Sequence, residues 1–316
     1  MDPMDPEVGT APISSIQPGG GFCFSLELNW AKFRRTILHS FFPAYVGKMQ
    51  LLKLGDCPKC SHNIIDSRDL KLFSNVCGFY FAPQTDPFAN RNKIWFARPG
   101  IMELFCFTAL LVPFTIAFIF LAALFHPAFG VLAVVGFLLW IFVLSFFRNP
   151  PREIPVAPDI VVSPADGVIT HLEEVDEVGI GKAFRVSIFL SVFNVHVNRV
   201  PIAGTVTHVR YYPGAFLDAR SSDCARRNEQ LWLDLKSEGA GFPFRVKQIA
   251  GAIARRIVCQ VGVGEKLVRG QLYGMIKFGS RTDLLIPAEL VDQVLVKVGS
   301  PVYGGSTIML KLKNQT

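Results

Sequence analysis

From Leu104 to Phe147 the chain carries no Asp, Glu, Lys or Arg, a run of 44 residues. A bilayer core is crossed by ~20 residues of helix, so this run reads as two membrane-spanning helices and a turn. Phe125-His126-Pro127 marks the turn, because proline cannot continue the helix ladder and restrains the residue before it. The lack of any polar face argues against a pair of soluble amphipathic helices. Beyond Ile154 the pattern changes to short alternating or wholly apolar runs bounded by Gly, Pro and Asp, such as Ile160-Val161-Val162, Phe184 to Leu190, Gly204 to Val209 and Val294 to Val298. Short strands at regular spacing predict a mainly β domain, a barrel or sandwich, attached to the two-helix transmembrane hairpin. Recurrent Val-Gly and Ala-Gly-x-Val turns give it a biotinyl-like look, and one short helix is expected around Ser222 to Leu231.

The N-terminal part is less regular. Residues 1–21 are rich in Pro, Gly, Ser and Asp and are expected to be disordered, without the charged and apolar regions of a signal peptide. Residues 22–97 form an extension of mixed composition, 98–149 the hairpin and 150–316 the β domain.

Half the residues are apolar and net charge is +7, with mean hydropathy +0.35 and pI near 9.1. Such a balance suits nucleic acid or an anionic membrane surface. No long basic run is present, so the membrane is preferred and nucleic acid is not expected as a partner. Arg91, Lys93 and Arg98 precede the hairpin, Arg148 and Arg152 follow it, and its turn has no Lys or Arg. The positive-inside tendency then places both flanks, and the β domain, on the cytoplasmic face of the cell's inner membrane. Seven scattered cysteines do not form a secreted disulfide framework. Cys57-Pro58-Lys59-Cys60 followed by Cys77 resembles a zinc ribbon lacking its fourth ligand, which leaves both a structural zinc and a metal-free remnant open.

Candidate chemistry gathers in four stretches of the β domain: Ser163-Pro164-Ala165-Asp166-Gly167, Phe193-Asn194-Val195-His196-Val197-Asn198-Arg199, Ala250-Gly251-Ala252-Ile253-Ala254-Arg255-Arg256, and Phe278-Gly279-Ser280. Alone, a Gly-Ser dipeptide is a turn signal. With Phe146-Phe147-Arg148-Asn149-Pro150, Tyr212-Pro213-Gly214 and Arg227-Asn228-Glu229, these stretches resemble the phosphatidylserine decarboxylase proenzymes, in particular their shorter bacterial and archaeal branch, over residues 140–313.

That resemblance implies an enzyme without an added cofactor. The Ser280 hydroxyl attacks the Gly279 carbonyl, the chain is cut between Gly279 and Ser280, and Ser280 becomes a pyruvoyl group. The product is an α/β heterodimer, with a higher homo-oligomer as a further expectation. The substrate is phosphatidylserine in the membrane, and the products are phosphatidylethanolamine and CO2. An imidazole held by a carboxylate is the usual activator of a serine, and the matching positions are His196 and Asp166. The longer branch has a second histidine where this chain has Arg199, so either His196 serves alone or Arg199 supplies charge and another group the base. His171 and His208 are possible substitutes. Arg199, Arg255, Arg256, Lys277 and Arg281 are candidates for the lipid phosphate. Gly305-Ser306 is a less suitable cleavage point, since it leaves a tail too short for a strand pair. Two alternatives are a pyruvoyl decarboxylase of a soluble amino acid and a non-catalytic membrane-tethered β-barrel adaptor.

Overall fold

The computed structural model describes residues 6–58, 62–90, 94–221, 223–252, 256–277 and 279–313. The extension contains helices α1 (Phe22–Phe41), α2 (Pro43–Leu52) and α3 (Ser67–Phe73), with β1 (Lys53–Leu54) paired to β2 (Tyr80–Phe81). Asp66 caps α3 by accepting from the Arg68 amide, the usual use of an acid at that position. The charge-free run makes up all but the first turn of α4 (Ile101–Leu124), which holds Glu103, and the whole of α5 (Phe129–Phe146), around a short turn at His126. Both helices are long and apolar enough to cross a membrane. Their packing is close: a Cβ on Gly136 of α5 would lie 2.7 Å from Thr115 Oγ1, and Trp140 donates to Thr108 across the pair.

The remainder is mainly β. Its principal sheet is a curled half-barrel of antiparallel strands. It comprises β4 (Gly167–Glu177), β5 (Gly181–Leu190), β7 (Gly204–Tyr212), β8 (Gln230–Ser237), β9 (Pro243–Ala250), β11 (Lys266–Leu267), β13 (Ser280–Pro287) and β15 (Pro301–Val302). The order across the sheet is β11-β7-β8-β9-β13-β5-β4-β15, so β13 is central, between β9 and β5. Two three-stranded sheets complete the domain. One joins β6 (Val197–Arg199), β10 (Arg256–Cys259) and β12 (Leu272–Lys277), and the other joins β3 (Ile160–Val162), β14 (Val291–Val294) and β16 (Ile308–Leu312).

Strand alternation sorts the side chains into two layers. Val186, Ile188, Leu233, Val246, Leu284 and Ile286 belong to the main core. On the other face of the sheet, Arg245 pairs with Glu177 and Asp234, Lys247 with Glu177, and Arg281 with Asp283. Lys247 also lies 3.9 Å from the centroid of the Trp232 ring, a cation over an aromatic face. A second core joins the extension (Phe24, Met49, Ile65), the helix pair (Val143, Phe146, Phe147) and the β domain (Val195, Val197, Met275).

Two expectations change. Residues 6–21 are packed against the domain: Ala11 bridges Tyr211, Ile16 is buried, and Cys259 donates its amide to the Ile16 carbonyl. These contacts compensate for a composition that by itself favours disorder. The helix expected around Ser222–Leu231 is only Cys224–Arg227, because Gln230 onward joins the sheet as β8.

Candidate active site

Gly279 links β12 to β13 through Phe278, which lies outside the described residues, and has φ +56, the left-handed region where a Cβ is strained. Ser280 opens β13 opposite Leu190 on one side and Ala250 on the other. Its side chain is fully buried and its Oγ has no hydrogen-bond partner. Burying a hydroxyl without a partner costs about 1–3 kcal/mol. A group held at that cost beside a glycine carbonyl is available for chemistry, since no competing hydrogen bond must be broken first.

His196 faces the same glycine. The Gly279 amide donates to His196 Nε2 at 3.2 Å, and Nδ1 lies 2.9 Å from the Asn194 carbonyl. That carbonyl can only accept, so Nδ1 carries the proton and Nε2 presents its lone pair. The Asn194 side chain fixes the turn by accepting from the amide and hydroxyl of Ser191. Phe146, the last residue of α5, covers the imidazole with ring centroids 4.1 Å apart. Burial, reinforced by the positive charge of Arg148, lowers the His196 pKa to about 3, against a smaller opposing effect of the Asn194 carbonyl. The ring is therefore a neutral base at ordinary pH.

The carbonyl side of the bond is crowded by Gly251. A Cβ there would lie 2.6 Å from the Gly279 carbonyl oxygen. The segment is set by Asn228, whose amide donates to the carbonyls of Ala250 and Leu217. Its far end is held by Glu229, which accepts from the Ile257 amide and pairs with Arg256 at 3.9 Å. This gives Asn228 and Glu229 of the Arg227-Asn228-Glu229 motif a physical role: Asn228 fixes Ala250, next to the Gly251 that crowds the Gly279 carbonyl, and Glu229 holds Arg256 and Ile257 at the start of β10.

Asp166 does not contact the imidazole. Its Oδ2 receives Arg152 at 2.6 Å and its Oδ1 the Gly304 amide at 2.8 Å, while burial raises its pKa despite both partners. The Gly304-Gly305-Ser306-Thr307 stretch is thus a tight turn fastened by Asp166. Arg199 binds the connector that leaves α5, donating to Asn149 Oδ1 at 2.8 Å and to the Gly270 carbonyl at 3.0 Å. Arg281 makes a two-point contact with Asp283 at 2.6 and 2.8 Å and also reaches Ser187, so its guanidinium is committed within the sheet. Lys277 is buried against Gln17 and Glu103. Arg255 lies outside the described residues. His171 and His208 are exposed on their strands.

The zinc expectation finds no support. The Cys57 thiol is directed at the Val76 carbonyl, 3.9 Å away. Among the described residues no group of three or more His, Cys, Asp or Glu could hold a metal ion, and Cys60 lies outside them.

Several residues of the site escaped sequence reasoning. Beneath Ser280 on the same face of β13, Thr282 receives the Asn198 amide at 3.2 Å, and Gln248 donates to Asn198 at 2.8 Å, all three fully buried. Polar residues at alternate positions in otherwise apolar strands were the available signal. Glu103 was also legible, as the one acid at the border of the charge-free run.

The phosphatidylserine decarboxylase family model matches residues 139–310, which include Asp166, His196, Gly251, Gly279 and Ser280. A Rhodopirellula baltica protein named phosphatidylserine decarboxylase proenzyme is 43% identical over 243 residues, 77% of this chain and 98% of that protein. Proteins of the same name from Trichlorobacter lovleyi and Carboxydothermus hydrogenoformans are each 46% identical, over 185 and 199 residues, covering 58% and 59% of this chain and 83% and 92% of theirs. The chain belongs to the phosphatidylserine decarboxylase family.

Proposed function

We propose that the chain is a self-processing, pyruvoyl-dependent enzyme that converts phosphatidylserine to phosphatidylethanolamine and CO2. The observation that carries this reading is the unpartnered, buried Ser280 hydroxyl next to a left-handed Gly279 whose amide meets a neutral imidazole. In the processing step Ser280 Oγ gives up its proton and bonds to the Gly279 carbonyl carbon; His196 Nε2, which accepts from the Gly279 amide in the uncut chain, takes that proton once it releases the amide. The Gly279–Ser280 C–N bond breaks, leaving an ester to Oγ and a free amine on residue 280. Loss of the residue 280 α-proton and of the Gly279 carboxylate, then hydrolysis with release of ammonia, leaves a ketone at position 280.

The residues present fit this origin for the group: the hydroxyl is unengaged, and the positive φ at Gly279 is one that a residue without a Cβ adopts without strain. The pyruvoyl ketone supplies an electron sink for the electrons freed as CO2 departs. The chain's own contribution is the burial of the site and the neutral imidazole, which can accept a proton only transiently and so gives it back readily. Asp166 acts at one remove, by fixing Arg152 and the Tyr303–Thr307 turn. Once cut, the two chains stay together because β13 remains paired with β5 from Ser280 to Pro287 and with β9 from Ser280 to Leu285.

A lipid substrate gives the apolar helices a purpose, since the headgroup must reach Ser280 while the acyl chains stay in the bilayer. We place α4 and α5 across the membrane with the β domain on the cytoplasmic side, and Arg256, whose side chain is 30% exposed, as a contact for the lipid phosphate. Purified protein given phosphatidylserine in detergent micelles should form phosphatidylethanolamine, and Ser280→Ala should form none; product from Ser280→Ala would refute the reading. Protease digestion of inverted inner-membrane vesicles should remove the β domain, whereas protection there would reverse the sidedness.

A further inference from the structure

Lys277 is the last residue of β12, two positions before the glycine of the proposed scissile bond, and it is 5% exposed. Its ammonium donates to Gln17 Oε1 at 2.9 Å and forms an ion pair with Glu103. Glu103 lies in the first turn of α4, is itself buried, and is the one acidic residue from Ile101 to Phe147. A carboxylate at a helix N-terminus is favoured by the helix dipole, so this end of α4 tolerates the charge. Stability does not explain the pair: desolvating two ions costs several kcal/mol each, and well-packed apolar residues are often at least as stable. What such a pair supplies is geometry.

The geometry concerns Gly279. On its N-terminal side β12 is tied to α4 through Lys277 and Glu103. Its amide is bound to His196, whose ring lies under Phe146 of α5, and the loop carrying that histidine is held by Arg148, which donates to the Phe193 carbonyl at 2.9 Å. Both restraints originate in the apolar helix pair and its immediate exit.

The geometry points to the helix pair as a positioning element of self-cleavage, with Glu103 and Phe146 as its positioning residues: docking of α4 and α5 sets the Gly279–Ser280 bond against its base. Processing of the precursor would then be coupled to folding of the apolar helices onto the β domain. This inference rests on the proposed self-processing reaction but goes beyond it, since an anchor alone need not touch the bond.

The test is the rate of self-cleavage of freshly synthesised full-length precursor in detergent micelles, followed on denaturing gels, for Glu103→Ala, Lys277→Met, Lys277→Arg and Phe146→Leu. Melting of each variant in a Ser280→Ala background reports the fold separately. Glu103→Ala and Lys277→Met are expected to cleave about 10- to 100-fold more slowly, the range for sub-ångström misplacement of reacting groups. Their double variant should lose no more than either alone, because both remove one interaction. Lys277→Arg, which keeps charge and reach, should stay within about threefold of wild type, and Phe146→Leu, which keeps apolar bulk, should be slowed like Glu103→Ala. Wild-type rates in Glu103→Ala, or equal losses in Lys277→Arg and Lys277→Met that follow the melting temperatures, would overturn the inference. Failure of the wild-type precursor to cleave at all would instead overturn the functional reading.

Discussion

Adding one methyl group at Gly251 should slow self-cleavage without disturbing most of the fold. The Cβ of Gly251→Ala would lie 2.6 Å from the Gly279 carbonyl oxygen, 3.2 Å from its carbon and 3.2 Å from the Ala219 Cβ. Close carbon–oxygen contacts settle at ~3.3–3.6 Å, so the carbonyl or the Gly251 backbone must move by roughly 0.7 Å or more. Ala219 closes one escape route, and Asn228 holds the neighbouring Ala250 carbonyl at 2.7 Å. The displaced atom belongs to the carbonyl that Ser280 attacks. A misplacement near 1 Å costs about 100-fold, so the expected loss is about 10- to 100-fold, equivalent to about 1.4–2.7 kcal/mol of barrier. The assay is a single-turnover time course of precursor disappearance, with melting of the Ser280→Ala, Gly251→Ala double variant as control. Overpacking alone would lower stability by about 1–3 kcal/mol. A wild-type cleavage rate in Gly251→Ala, or a loss matching only the unfolded fraction, would refute the reasoning.

Other consequences concern protonation and stability. Because His196 stays neutral to about pH 3, the cleavage rate should show no inflection at the ordinary imidazole pKa of ~6.5, and an inflection there would contradict the assignment. Its depressed pKa means that below about pH 6.5 the unfolded chain binds a proton that the folded chain excludes, so stability should fall as pH drops from there toward 3. Melting of the Ser280→Ala precursor against pH measures that slope, which His196→Gln should reduce. Arg281→Met removes the ion-pair partner of the buried Asp283 carboxylate, leaving it Ser187 and the more distant charge of Arg185, and should lower stability by up to about 3–5 kcal/mol in denaturant titration, appearing as a folding defect rather than a raised KM.

The apolar helix pair and the β domain were legible because each depends on a local pattern: absence of charge over 44 residues in one, alternation in the other. Gly279-Ser280 was legible as a dipeptide between strands, but its burial and the empty hydrogen-bond shell of Oγ depend on pairing with Leu190 and Ala250, which are distant in sequence. Asp166 resembled a partner for His196 by motif, whereas the structure gives it Arg152 and the Gly304 amide, and gives the imidazole a backbone carbonyl only two residues away. Cationic candidates for the lipid phosphate suffered from the same blindness. Arg281 is neutralised by a residue two positions along its own strand, and Lys277 by one 174 positions away. Composition marked residues 1–21 as disordered, and over the described part, 6–21, it missed the packing because three buried side chains, Ser15, Ile16 and Gln17, do not alter an average dominated by Pro and Gly.

The most direct test of the account is the denatured mass of the purified full-length protein. The expected result is two chains, one ending at Gly279 and one beginning at residue 280 with a blocked, pyruvoyl-bearing end that resists sequencing from its N-terminus. In Ser280→Ala a single uncut chain should remain. An intact 35.0 kDa wild-type chain, or a cut at Gly305-Ser306 instead, would contradict it.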